Sequence, residues 1–125
     1  RIGTRFALSE ESSAHERFKQ KCITLDEGDT ILSLKKLSPT RLIRNEFYRQ
    51  VEQAENAGAS AEEIAQLLGR GRAKRGIFEG ELDEGELEIG QAASMIRTVE
   101  PVGQIMAQMI AEYNAAADGL TEIRF

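Results

Sequence analysis

Apolar positions recur along this chain in two rhythms. Residues 1–8 alternate, with Ile2, Thr4, Phe6 and Leu8 set against Arg1, Gly3, Arg5 and Ala7; a period of two predicts a short strand. The polar run from Ser9 to Ser13 can cap a helix from about Ala14 to Cys22, with Phe18 and Cys22 on one side. Asp26 to Asp29 reads as a turn, and Thr30 to Leu37, carrying Ile31, Leu32 and Leu34, as a second strand. Pro39 holds Ser38 extended and opens a turn or short strand before Arg41. Asn45 then caps a helix from Glu46 to Asn56 with Phe47, Val51 and Ala54 inward, ended by Gly58. Ser60 and Glu63 make a capping box for the next helix, which buries Ile64, Leu67 and Leu68 and stops at Gly69. Gly76 to Gly90, rich in glycine and acid, predicts a loop with brief extended pieces. A helix follows from Gln91 to about Thr98. Pro101 then suits the first turn of a long last helix, where Val102, Ile105, Met106, Met109, Ile110 and Tyr113 form one apolar stripe. The tail after Ala115 reads as frayed.

The result is an α+β chain, mainly helical, with two short strands. Two strands rarely make an independent sheet, so the strand at 1–8 calls for neighbours from elsewhere. The chain also opens at Arg1 without a methionine. Both features predict that something upstream is missing.

Composition narrows the function classes. With 41% hydrophobic and 30% charged residues, the chain reads as a soluble folded domain. No stretch approaches the roughly 18 apolar residues of a membrane span, so no membrane partner is expected. A net charge of −5 argues against a general nucleic-acid binder. The single cysteine, Cys22, excludes an internal disulfide and fits a reducing, cytoplasmic compartment. On its helical pattern it reads as a packed thiol rather than a nucleophile. The single histidine, His15, lies in a polar stretch and reads as a helix-start residue; with one cysteine and one histidine, no zinc-type ligand set exists.

Three segments can carry chemistry. In Ile2-Gly-Thr-Arg-Phe6, Gly3 permits close backbone approach by a ligand, and the Thr4 hydroxyl and nearby N–H groups can donate to an anion; without other information such a pair is an ordinary turn. Gly90-Gln91 opens a helix, where N–H groups and the dipole favour a polar or anionic partner; Gln91 either bonds a ligand or merely caps. Arg70, Arg72, Lys74 and Arg75 concentrate positive charge in an acidic chain. They contact an acidic carrier protein, hold a nicotinamide-cofactor phosphate, or form a solvated face balanced by Glu79, Glu81, Asp83, Glu84, Glu86 and Glu88, the reading favoured here.

In combination these segments resemble the flavin-dependent (β/α)8-barrel family of enoyl-acyl-carrier-protein reductase II and nitronate monooxygenase (2-nitropropane dioxygenase-like). The resemblance rests on Arg1-Ile-Gly-Thr-Arg-Phe6, Ser12-Ser-Ala-His-Glu16, Pro39-Thr-Arg-Leu-Ile-Arg-Asn45, the segment from Leu67 to Gly80, and Gly90-Gln-Ala-Ala-Ser-Met-Ile96, in that order. It implies the C-terminal piece of a TIM barrel: residues 1–8 as the last barrel strand, 9–89 as an inserted, mainly helical domain, and 90–125 as helices returning to the barrel. It makes Gly3 and Thr4 contacts of the phosphate of FMN, in keeping with the phosphate site of many barrels, and Gln91 a candidate contact of flavin or substrate. Arg5 points away as a structural residue; Arg41 and Asn45 are a backbone-bonding arginine and a helix cap. After Gln91 the chain carries Ala-Ala-Ser, where many relatives place a glycine before the last apolar pair.

The resemblance further implies NAD(P)H as reductant, an acyl-carrier protein or acyl thioester as substrate, and reduction of the 2,3 double bond of an acyl chain in fatty acid synthesis. It leaves a homodimer open. The family's catalytic histidine would lie upstream, His15 does not match it, and no catalytic residue is expected here; the 125 residues alone are expected to be inactive. One rival reading is the monooxygenase branch, which uses oxygen. Another is a non-enzymatic interaction module docking through the basic segment.

Overall fold

The computed structural model describes residues 1–125. The chain runs through α1 (Thr4–Ala7), α2 (Glu16–Cys22), β1 (Thr30–Ser33), β2 (Thr40–Ile43), α3 (Glu46–Asn56) and α4 (Ala61–Leu68). A π-helical turn (Lys74–Phe78) and a 3-10 turn (Gln91–Met95) then lead to the long α5 (Val102–Thr121). None of the helices is long and apolar enough to cross a membrane. The mixed, mainly helical class follows the sequence pattern.

The first element corrects it. Residues 1–8 do not form a strand: Thr4–Ala7 is a single helical turn. The alternation of Ile2, Thr4, Phe6 and Leu8 suits a sheet, but no neighbouring strand supplies partners. The backbone groups are satisfied locally instead, by Ala7 N–H to Gly3 C=O at 2.9 Å and Leu8 N–H to Thr4 C=O at 3.2 Å. Only Leu8 and Ser9 at its end are buried.

β1 and β2 pair antiparallel, Thr30 opposite Ile43 and Ser33 opposite Thr40. The second strand expected over Thr30 to Leu37 stops early because Leu34 turns into the left-handed region at φ 55°. The segment around Leu87 adds a third edge: Ile43 N–H donates to Leu87 C=O at 2.9 Å, and Leu42 bridges Glu88. These are the brief extended pieces expected within 76–90.

Two apolar clusters flank this small sheet. One contains Leu8, Phe18, Cys22, Ile43, Leu87 and Ile96; the other contains Leu34, Leu42, Phe47, Val51 and Ile64. Consecutive β2 residues Leu42 and Ile43 point to opposite faces and enter different clusters, so the strand is the wall between them.

The caps follow the sequence. Asn45 accepts from Tyr48 N–H at 2.9 Å, and its amide donates to Leu82 and Gly85 C=O, both at 2.8 Å. Ser60 and Glu63 form the reciprocal capping box. Arg41 donates to Thr30 C=O at 3.2 Å. His15 is the N-cap of α2, accepting from Arg17 N–H through Nδ1 at 3.0 Å. Pro101 sits at the N-cap position of α5, and the Glu11 carboxylate accepts from Val102 N–H at 3.0 Å. That helix continues to Thr121, past the fraying point placed at Ala115. Conversely, the helix expected from Gln91 to Thr98 is a short 3-10 turn ending at Met95.

Candidate functional site

The two ends of the chain are tied together around α1. Arg5 donates to Thr98 C=O at 3.0 Å and forms an ion pair with Glu100. Glu10 N–H bonds Glu100 C=O at 3.0 Å, within a parallel bridge of Ser9 to Glu100. Arg5 is thus structural: it fastens the start of the chain to the segment ahead of α5.

This fastening opens a cleft of about 640 Å³. Gly3, Thr4 and Arg5 line one side, Ala92, Met95 and Arg97 another, and Gln108, Met109 and Glu112 of α5 complete it. Gly90 lies directly against Thr4: any Cβ at Gly90 would overlap Thr4 Oγ1. The structure therefore brings together Gly3, Thr4 and the opening of the return segment. Gln91 itself is exposed and is not part of the cleft lining, whereas its neighbour Ala92 is.

The edge at Gly3 has the character a phosphate requires. No heavy atom lies within 4 Å of where a Gly3 Cβ would be, so the backbone is open to approach. The first N–H groups of α1 have no acceptor within the helix, and Thr4 adds a hydroxyl. The Arg5 guanidinium offsets the Glu100 charge that lines the same cleft. Such an edge can receive an anion. Elsewhere, His15 is committed to capping α2, and burial pushes the Cys22 thiol up to about 12, against a smaller downward pull from Lys21. No group of three or more His, Cys, Asp or Glu side chains is placed to hold a metal ion.

The basic segment divides. Arg72 is drawn into the fold. Its Nε donates to Leu68 C=O, Nη2 to Leu67 C=O and Nη1 to Glu84 C=O, each at 2.8 Å, and its guanidinium lies 4.5 Å from the Phe47 ring centroid. It satisfies two carbonyls left open at the C-terminus of α4 and bolts them to the 84–86 turn. The solvated-face reading does not hold for Arg72, because those open carbonyls offer the planar guanidinium several acceptors at once. Arg70, Lys74 and Arg75 remain exposed.

Three further features had no clear signal in sequence. Gly76 and Gly85 meet backbone to backbone: a Cβ on Gly85 would overlap Gly76 Cα, and one on Gly76 would lie 2.7 Å from Leu87 Cδ2. Glycines flanking an acidic turn were the available hint. Lys19 is buried, with Nζ donating to Ser12 C=O at 2.9 Å and Glu10 C=O at 3.2 Å. Glu86 is also buried, at 7% exposure. Its carboxyl is pushed up to about 7, first by burial and then by hydrogen bonding and charge from Glu88, with Arg72 pulling the other way. The extended backbone places Glu86 and Glu88 on one face.

Comparison with known proteins follows the same outline. The nitronate monooxygenase family model matches residues 1–112. Among solved structures, FabK from Thermotoga maritima superposes with a TM-score of 0.85 at 31% identity, over 95% of this chain and 38% of that one. A mutant of the same FabK gives a TM-score of 0.75 at 28% identity, over 95% of this chain and 35% of the mutant. No curated protein matches. This chain spans well under half the length of the structures it resembles. With the family model covering nearly its whole length, the chain belongs to the nitronate monooxygenase family.

Proposed function

We propose that this chain is the C-terminal part of an FMN-dependent oxidoreductase, with Gly3 and Thr4 at the flavin phosphate. The observation that carries the reading is the cleft that joins the Gly3–Thr4 edge to the segment opened by Gly90. In this reading residues 9–89 are an insertion into a (β/α)8 barrel and 90–125 return to it; the meeting of Ser9 with Glu100 supports this, since both ends of an insertion leave and re-enter one body. The apolar stripe of α5 supports it too. Met106, Ile110 and Tyr113 are exposed and form a groove with Ile2 and Phe6, a surface that the barrel covers. Gln91, exposed next to Ala92 of the cleft lining, is proposed to meet flavin or substrate.

The substrate is proposed to be the 2,3 double bond of an acyl chain on a carrier protein, with NAD(P)H as reductant. The likeness to FabK over 95% of the chain favours this enoyl reductase branch. Bound flavin supplies the redox chemistry, and this chain's residues bind and orient it: Gly3 admits the phosphate, Thr4 donates to it, and Gly90 keeps Thr4 in place. Membership of the nitronate monooxygenase family favours the second reading, nitronate oxidation with oxygen. The test uses the full-length protein. Oxidation of NADPH or NADH dependent on a crotonyl thioester supports the reductase. Oxygen uptake with an alkyl nitronate, and no thioester-dependent oxidation, overturns it in favour of the monooxygenase. The 125 residues alone are expected to be inactive and colourless.

A further inference from the structure

We propose that Arg70, Lys74, Arg75 and Phe78 form a docking face for an acidic protein, which, on the reductase reading above, is the carrier that delivers the acyl chain. The face stands out by what its neighbours already do. Arg72 is consumed by three carbonyls and the Phe47 ring. The Glu81 carboxylate accepts from Asp83 N–H at 3.2 Å and so turns back on its own loop. Glu79 reaches Lys74 only at 3.8 Å, with both side chains more than half exposed. Arg70 and Arg75 are exposed with no ion pair and no side-chain hydrogen bond. Beside them Phe78 leaves half its surface in water. An exposed aromatic in the same short segment as three exposed cations has the mixed character of a protein-binding surface, where an apolar anchor sits among charges.

The face is also rigid from beneath. Gly76 packs on Gly85, Ile77 packs on the larger apolar cluster, and the Ile77 carbonyl accepts from His15 N–H at 2.7 Å. With Arg72 holding the entrance to the turn, little order has to be gained on binding. A nucleic acid or anionic membrane is the poorer partner, because the chain as a whole carries −5. A nicotinamide cofactor needs a concave site, and these residues lie outside the cleft lined by Gly3 and Thr4.

The experiment compares two substrates of the full-length flavoenzyme, crotonyl–carrier protein and a crotonyl thioester without the carrier. Arg70→Gln/Arg75→Gln should raise KM for the carrier-linked substrate roughly three- to tenfold at low salt, an effect that shrinks as salt rises. Phe78→Ser should raise it with little salt dependence, and Arg70→Lys/Arg75→Lys should restore most of the loss. Turnover of the free thioester, which also reports an intact fold, should be unchanged. An unaltered KM for the carrier substrate overturns the proposal, as does an equal loss on both substrates, which would assign the cations to the shared reductant. If the native enzyme reduces neither substrate, the reductase reading fails first and this carrier goes with it.

Discussion

Replacing Glu86 by Gln tests whether a neutral carboxyl is part of the native fold. Burial, then the Glu88 carboxyl, raise its pKa from 4.5 to about 7. A carboxyl whose folded pKa lies above its unfolded value binds more protons folded than unfolded between the two. Its contribution is therefore fully present below about pH 4.5 and is lost as pH rises through about 7. At about 1.4 kcal/mol per pH unit, that displacement sets an upper bound of about 3 kcal/mol. That shift already includes the opposing Arg72 charge; residual solvent contact of the site reduces the bound to about 1–3 kcal/mol. Glu86→Gln keeps the shape and removes the ionisation. Urea unfolding of native and variant chains of equal length, at intervals from pH 4.5 to 8, isolates the term together with its coupling to Glu88, because the remaining ionisable groups cancel in the difference. The variant should gain on the native protein steadily across this window and be the more stable at pH 8. Glu88→Gln removes a group that raises the Glu86 pKa, so it should flatten the native slope. Parallel native and Glu86→Gln curves would refute the reasoning and mean that Glu86 is charged in the native state throughout.

Arg72→Ala should cost about 2–4 kcal/mol in thermal unfolding, since three carbonyls lose their donor and Phe47 its cation. Arg72→Lys should recover only a minor part, because an ammonium cannot reach three acceptors in fixed geometry. Gly85→Ala should destabilise by at least about 1–3 kcal/mol through overlap with Gly76, whereas Gly103→Ala, with open space around it on α5, should be neutral or stabilising by up to about 1 kcal/mol; denaturant midpoints separate the two. In the full-length enzyme Gly3→Val should release flavin, read by fluorescence titration. Unchanged flavin affinity would remove Gly3 from the site.

What the sequence disclosed was local chemistry. Asn45, Ser60 with Glu63, His15 and Arg41 each act on backbone within a few residues or across one strand pair, and residue type with spacing is enough to read them. Periodicity was weaker. It marked the apolar stripe of α5 correctly, but a stripe states that a face is apolar and not what covers it: Ile105 is buried while Ile110 and Tyr113 are exposed. At residues 1–8 it failed, because alternation describes a strand only where another strand supplies the hydrogen bonds, and here a helical turn answers them sooner. The candidate site was half legible. Residue type singled out Gly3 and Thr4, which line the cleft, but the Gly90 contact against Thr4 joins residues more than eighty positions apart. Arg72 shows the same limit from the other side. In sequence it is one cation of four, and only the open carbonyls of α4, the Glu84 turn and the Phe47 ring make it unlike the rest. Setting it apart leaves Arg70, Lys74 and Arg75 as the exposed cations on which the docking proposal rests.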